Sequence, residues 1–146
     1  MRDAVIVDAV RSPIGKRNGS LAETHPADLG GHVLRALAER TGLDVNLVED
    51  VHWGCVSNVG EQAINVGRTA VLAAGWPITI PGLTMNRACG SSQQAVSVAA
   101  ATVISGQADI IVAGGVESMT RVPMGAASVG GDANPQSVYD RFGVDG

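Results

Sequence analysis

Thr84-Met85-Asn86-Arg87-Ala88-Cys89-Gly90-Ser91-Ser92-Gln93-Gln94-Ala95 is the stretch on which the fold turns. Residues 82–88 read as a strand, and they run straight into a helix predicted over about 91–105. Cys89 sits at the joint. Unpaired backbone N–H groups and the positive end of the helix dipole gather at such a position, and both favour a thiolate. A thiolate there is a nucleophile suited to a thioester carbonyl, and the same N–H groups suit the oxyanion that its attack creates. Gly90, Ser91 and Ser92 are small enough for a substrate to approach the backbone closely. The helix continues as Gln93-Gln94-Ala95-Val96-Ser97-Val98-Ala99-Ala100-Ala101-Thr102-Val103-Ile104. It is apolar or small almost all round, which predicts burial on every side and more protein around it than this chain supplies.

Working outward, the same alternation of extended and helical runs recurs. Residues 4–10 form a valine-rich apolar run that predicts a buried strand. A glycine-containing loop over 14–24 follows. Pro26 then opens a helix with Thr24 or His25 near the cap, Asp28 in the first turn, and Gly42 at the end. Residues 50–56 predict a second strand, with Val51, Trp53 and Cys55 on one face. A helix over about 63–74 is stopped by Gly75-Trp76-Pro77. Gly106 closes the helix after Cys89, residues 109–113 predict a fourth strand, and Gly114-Gly115 breaks it. Strands alternating with helices imply βαβ units and a mainly parallel sheet. Beyond Arg121 the periodicity fades into Gly, Ala, Ser, Asn and Pro. The expected division is an α/β domain over 1–119, with 120–146 as the truncated or poorly ordered start of a further region.

Composition narrows the class. The 146 residues carry a formal net charge of −4, with 45% hydrophobic but only 3% aromatic residues. There is no basic stripe for nucleic acid, and no run long and apolar enough to span a bilayer. The first residues enter the strand-like run at once, so no signal peptide is expected, and a cytoplasmic location is. Cys55 and Cys89 are too few for a disulfide framework, and free thiols are the expectation. Cys55, beside Trp53 in an alternating strand, reads as core. His25, His32 and His52 are scattered singly and form no zinc spacing with the cysteines, so no metal site is expected. Glu117 follows the glycine pair at a strand end, where ligands bind in α/β sheets, yet it reads as structural.

Asn86-Arg87-Ala88-Cys89-Gly90-Ser91-Ser92-Gln93-Gln94-Ala95 resembles the acyl-enzyme signature of the thiolase family. Asp8-Ala9-Val10-Arg11-Ser12-Pro13-Ile14-Gly15-Lys16 is similar to that family's opening segment. Gly54-Cys55-Val56, Gly60-Glu61-Gln62-Ala63 and Ala113-Gly114-Gly115-Val116-Glu117-Ser118-Met119-Thr120 extend the likeness over nearly all of residues 1–124. The resemblance implies the N-terminal half of a layered αβαβα fold with a mostly parallel mixed sheet. It implies cleavage of 3-ketoacyl-CoA by CoA, or condensation of acetyl-CoA, through an acyl group carried on Cys89. The Cys89 N–H would contribute to the oxyanion hole.

Coenzyme A would be a co-substrate, with no permanently bound cofactor, and the assembly a homodimer or homotetramer. Ser92 stands where many members have glycine. The family's Gly-His-Pro histidine, its Cys-x-Gly cysteine and its Asn-Glu-Ala-Phe asparagine belong to a C-terminal half, and none of these motifs occurs here. The chain alone is therefore expected to be inactive. A β-ketoacyl synthase uses a cysteine at the same kind of turn, but Val116-Glu117-Ser118-Met119 favours the thiolase reading. A non-catalytic module that binds acyl-CoA or a protein partner is the third reading.

Overall fold

The computed structural model describes residues 2–143. Helix α1 spans Pro26–Thr41, and strand β1 follows at Asp50–Gly54. Helix α2 spans Val66–Ala73, strand β2 Leu83–Met85, helix α3 Ser91–Ser105, strand β3 Ile111–Gly115 and helix α4 Gln136–Phe142. Short 3-10 turns lie at Val45–Leu47, Gly60–Gln62 and Ala126–Ser128. The sheet has the order β2-β1-β3, and both pairings are parallel.

Local chemistry sets the helix ends. Pro26 enters α1 at a position where a missing N–H costs nothing, and His25 caps it by accepting the Ala27 N–H at its Nδ1, 3.1 Å away. Gly42 and Gly106 end α1 and α3 in the left-handed conformation, at φ 66° and 75°, which a side chain would oppose. The Asn65 side chain caps α2 by accepting from Arg68 N–H, so that helix begins three residues later than its apolar pattern suggests.

Strand alternation gives the sheet two faces. Trp53 points to the α1 and α2 side, where a Cβ on Gly30, Gly67 or Gly114 would press on it. Gly54 and Gly115 point to the α3 side, where an added Cβ on either would overlap the first turn of α3 at Ser92. Helices therefore cover both faces of the sheet. The core on the Trp53 side joins Leu34, Val51, Trp53, Cys55, Val71 and Trp76. It rests mainly on aliphatic residues, in keeping with an aromatic content of only 3%.

Three expectations change. Residues 4–10 form no strand: Val5, Ile6 and Val7 are 78%, 79% and 84% exposed. The run has β-forming residues but no ladder partner. The chain on either side of it is tied near β3, by Arg2 to Asp109 before it and by the Asn18 N–H to Thr120 Oγ1 at 3.2 Å after it. Between those ties a cleft of about 1460 Å³ separates it from β3, walled by residues such as Leu29, Val33, Val96 and Val103. Gly114-Gly115 does not break the fourth strand but forms its end, because both glycines pair with β1 opposite Trp53 and Gly54. The strand before Cys89 is confined to Leu83–Met85, since β1 offers partners only that far. Helix α3 packs one side on the sheet through Ala95 and Ala99 and leaves Val96 and Ile104 about 41% and 40% exposed, so its second side lies open in this chain.

Candidate active site

The site lies where the parallel strands end and their following loops gather, the usual location of ligand sites in α/β sheets. Strand β2 stops at Met85, and the chain turns through Asn86, Arg87, Ala88 and Cys89 into α3. Ala88 has φ +46°, a left-handed conformation costly for a residue with a side chain. The turn is held by its neighbours. Ser91, buried at the start of α3, donates its hydroxyl to Ala88 O at 2.6 Å and accepts the Arg87 N–H at 2.8 Å. The Asn86 Oδ1 accepts the Ala88 N–H at 2.9 Å. Cys89 follows directly, with an exposed side chain.

The N–H groups of Gly90 and Ser91 are committed to Arg87 O and Ala88 O, both at 3.1 Å. No intramolecular acceptor occupies the Cys89 N–H among the described residues, which leaves it available to an external oxygen. The first turn of α3 sits directly over Gly54 and Gly115. Only glycines let a helix start this close to strand ends, and the contact fixes the height of Cys89 above the sheet.

A second polar cluster adjoins this turn. The Glu117 carboxylate accepts the N–H of Val56 at 2.7 Å, the N–H of Ser57 at 3.2 Å and the Gln62 amide at 2.9 Å. Gln62 is fully buried, and it also donates to Ser57 O and accepts the Ser118 N–H. The loops after β1 and β3 are thereby stitched together. Glu117 thus has the structural role its sequence context suggested. Gln62 carried no sequence signal of its own importance, since its partners lie up to 56 residues away. Cys55 lies beneath this cluster, and burial together with the neighbouring Glu117 charge pushes its thiol up to about 12.

Among the described residues no hydrogen bond joins a histidine to Cys89. His25 caps α1 and lies 3.9 Å from Glu61, and His52 is buried against Asp50 at 3.3 Å. His32 lies on α1 with an exposed side chain. The Glu61 carboxylate forms a two-pronged pair with Arg121 at 2.5 and 2.6 Å, which holds it below the usual carboxylate range. No group of three or more His, Cys, Asp or Glu arranged for a metal ion occurs among the described residues. No helix among them is long and apolar enough to cross a membrane.

Comparison with known proteins bears on the same residues. The sequence model described as "Thiolase, N-terminal domain" matches residues 4–139. The chain belongs to the thiolase family. It is 49% identical over 132 residues to the steroid 3-ketoacyl-CoA thiolase FadA6 of Mycobacterium tuberculosis, covering 90% of this chain and 32% of that protein. It is 47% identical over 137 residues to 3-ketoacyl-CoA thiolases of Acinetobacter baumannii and Acinetobacter baylyi, covering 93% of this chain and 34% of theirs. The chain therefore spans about a third of the length of the curated relatives that it matches. Within the thiolase N-terminal domain, Cys89 is an exposed thiol at a helix start and Cys55 a buried one.

Proposed function

We propose that these residues belong to an acyltransferase of the thiolase type, in which Cys89 accepts the acyl group of a coenzyme A thioester. The observation that carries the reading is the exposed Cys89 thiol just ahead of α3, next to its N-cap Gly90, on a backbone turn held by Asn86 and Ser91. The names of the relatives, 3-ketoacyl-CoA thiolases, supply the substrate class. In thiolysis the Cys89 thiol gives up its proton, and the sulfur bonds to the 3-keto carbon. The bond between carbons 2 and 3 breaks, and carbon 2 takes a proton to leave as acetyl-CoA. The CoA thiol then attacks the acyl-enzyme, and Cys89 recovers its proton as the shortened acyl-CoA departs.

Both proton transfers need an acid–base group within hydrogen-bonding reach. No histidine among the described residues is bonded to Cys89, and the 146-residue chain alone is proposed to be inactive. Residues 120–146 are proposed to begin a separate region. In support, none of the described residues from Pro123 onward is buried. Coenzyme A as co-substrate, a dimeric or tetrameric assembly and a cytoplasmic location belong to the same proposal and rest on family membership.

The test uses the full-length protein. Incubation with an acyl-CoA followed by peptide mass mapping should find the acyl adduct on Cys89. Cys89→Ala should lower thiolysis of acetoacetyl-CoA roughly a thousandfold or more, as expected for loss of a covalent nucleophile. An adduct on another residue, or undiminished turnover in Cys89→Ala, refutes the assignment.

A further inference from the structure

We infer that Asn86 is a positioning residue for Cys89, and that it acts by bridging the Cys89 turn to the peptide between Val56 and Ser57, which Glu117 holds in place. This rests on the reading of Cys89 as the acyl acceptor. The bridge is continuous. The Glu117 Oε1 accepts the Ser57 N–H at 3.2 Å. On the other side of that same peptide unit, Val56 O accepts from the Asn86 amide Nδ2 at 2.9 Å. The other end of the Asn86 amide, Oδ1, accepts the Ala88 N–H at 2.9 Å. Ala88, at φ +46°, is the residue next to Cys89.

Each link has a physical purpose. A left-handed alanine relaxes unless its surroundings over-determine it. Ser91 supplies only a local clamp, within the turn itself. Asn86, by contrast, connects the turn to a different loop, the one after β1. That loop is anchored in turn, because the Glu117 carboxylate takes three donors, two of them consecutive backbone N–H groups. A charged acceptor makes these bonds stronger than neutral ones. Polarising the Val56–Ser57 peptide from its N–H side also strengthens its carbonyl as an acceptor for Asn86. The height and direction of Cys89 are thereby referenced to the ends of β1 and β3 as well as to β2. Only an amide fits, because one end must donate and the other accept.

Asn86→Asp in the full-length protein is the deciding variant. It has nearly the same shape and keeps the acceptor for the Ala88 N–H, but it loses the donor to Val56 O. Single-turnover acylation of Cys89 by acetoacetyl-CoA and alkylation of Cys89 by iodoacetamide are measured side by side. Positioning predicts an acylation rate constant at saturating substrate slowed on the order of ten- to a hundredfold, with the half-saturating concentration unchanged. Alkylation, which any exposed thiol undergoes, should stay within about twofold. Glu117→Gln, which weakens the anchor from the far end, should move acylation in the same direction. Acylation of Asn86→Asp at the wild-type rate overturns the inference. So does a fall in acylation matched by an equal fall in alkylation or by loss of folding. A wild-type protein that never carries the acyl adduct on Cys89 overturns the functional reading instead, and the inference falls with it.

Discussion

Cys55 and Cys89 lie in one domain, but their surroundings differ. Cys55 is sealed beneath the Glu117 cluster, and its thiol is held neutral up to about 12 by burial and then by the nearby carboxylate. Cys89 is exposed. Iodoacetamide at pH 8 should therefore label Cys89 well before Cys55, as read by peptide mapping of partially modified full-length protein. Preferential labelling of Cys55 would contradict the geometry. The same thiol gives a pH signature. An unfolded cysteine loses its proton near 8.5, whereas folded Cys55 keeps it to about 12. Across that window the folded state binds more protons, so stability falls as pH rises. Denaturant unfolding between pH 8 and 10.5 should show this decline, and Cys55→Ala should flatten it.

Among the elements, the contact between α3 and the strand ends carries the most consequence. A methyl group on Gly115 would overlap the Ser92 hydroxyl, and it would also meet the Gly54 carbonyl at 2.5 Å. Gly115→Ala should cost about 1–3 kcal/mol by overpacking, and it should slow acylation by tilting the first turn of α3. Adding Ser92→Gly should recover part of both losses. On the opposite face, Trp53 is wedged against glycines of α1, α2 and β3. Trp53→Ala should cost about 3–5 kcal/mol in denaturant unfolding.

Helices α1 and α3 were legible in the sequence because their ends are written locally, in Pro26, His25, Gly42 and Gly106, whereas α4 at Gln136–Phe142 was not foreseen in a stretch without apolar periodicity. Strand β1 was legible because Val51, Trp53 and Cys55 alternate into the core. Residues 4–10 were misread because a valine-rich run becomes a strand only beside a hydrogen-bonding neighbour, and no local pattern records one. Cys89 could be found from its place at a strand-to-helix turn. Asn86 and Gln62 could not, because each also bonds a partner far along the chain, Asn86 to Val56 at 30 residues and Gln62 to Ser118 at 56. Such contacts exist only after β1, β2 and β3 have aligned.

At the scale of the molecule, α1, α2 and α3 cover the sheet, yet the cleft between β3 and residues 4–10 reaches α1 through Leu29 and Val33. The outer side of α3 and the cleft beside β3 leave aliphatic side chains in contact with water. A polar surface does not ordinarily carry so large an apolar recess. The 146-residue chain produced alone should bind an apolar dye such as 1-anilinonaphthalene-8-sulfonate strongly, and much more than the full-length protein does. It should also show no measurable thiolysis of acetoacetyl-CoA; turnover at an ordinary enzymatic rate would contradict the inactivity proposed for it. The tethered 3–15 segment has a kinetic consequence. Most of its amides have no backbone acceptor, unlike those of β1, which sit between two strands. In deuterated water, this chain alone should take up label along that segment within seconds, while the central strand holds its protons until the whole fold opens.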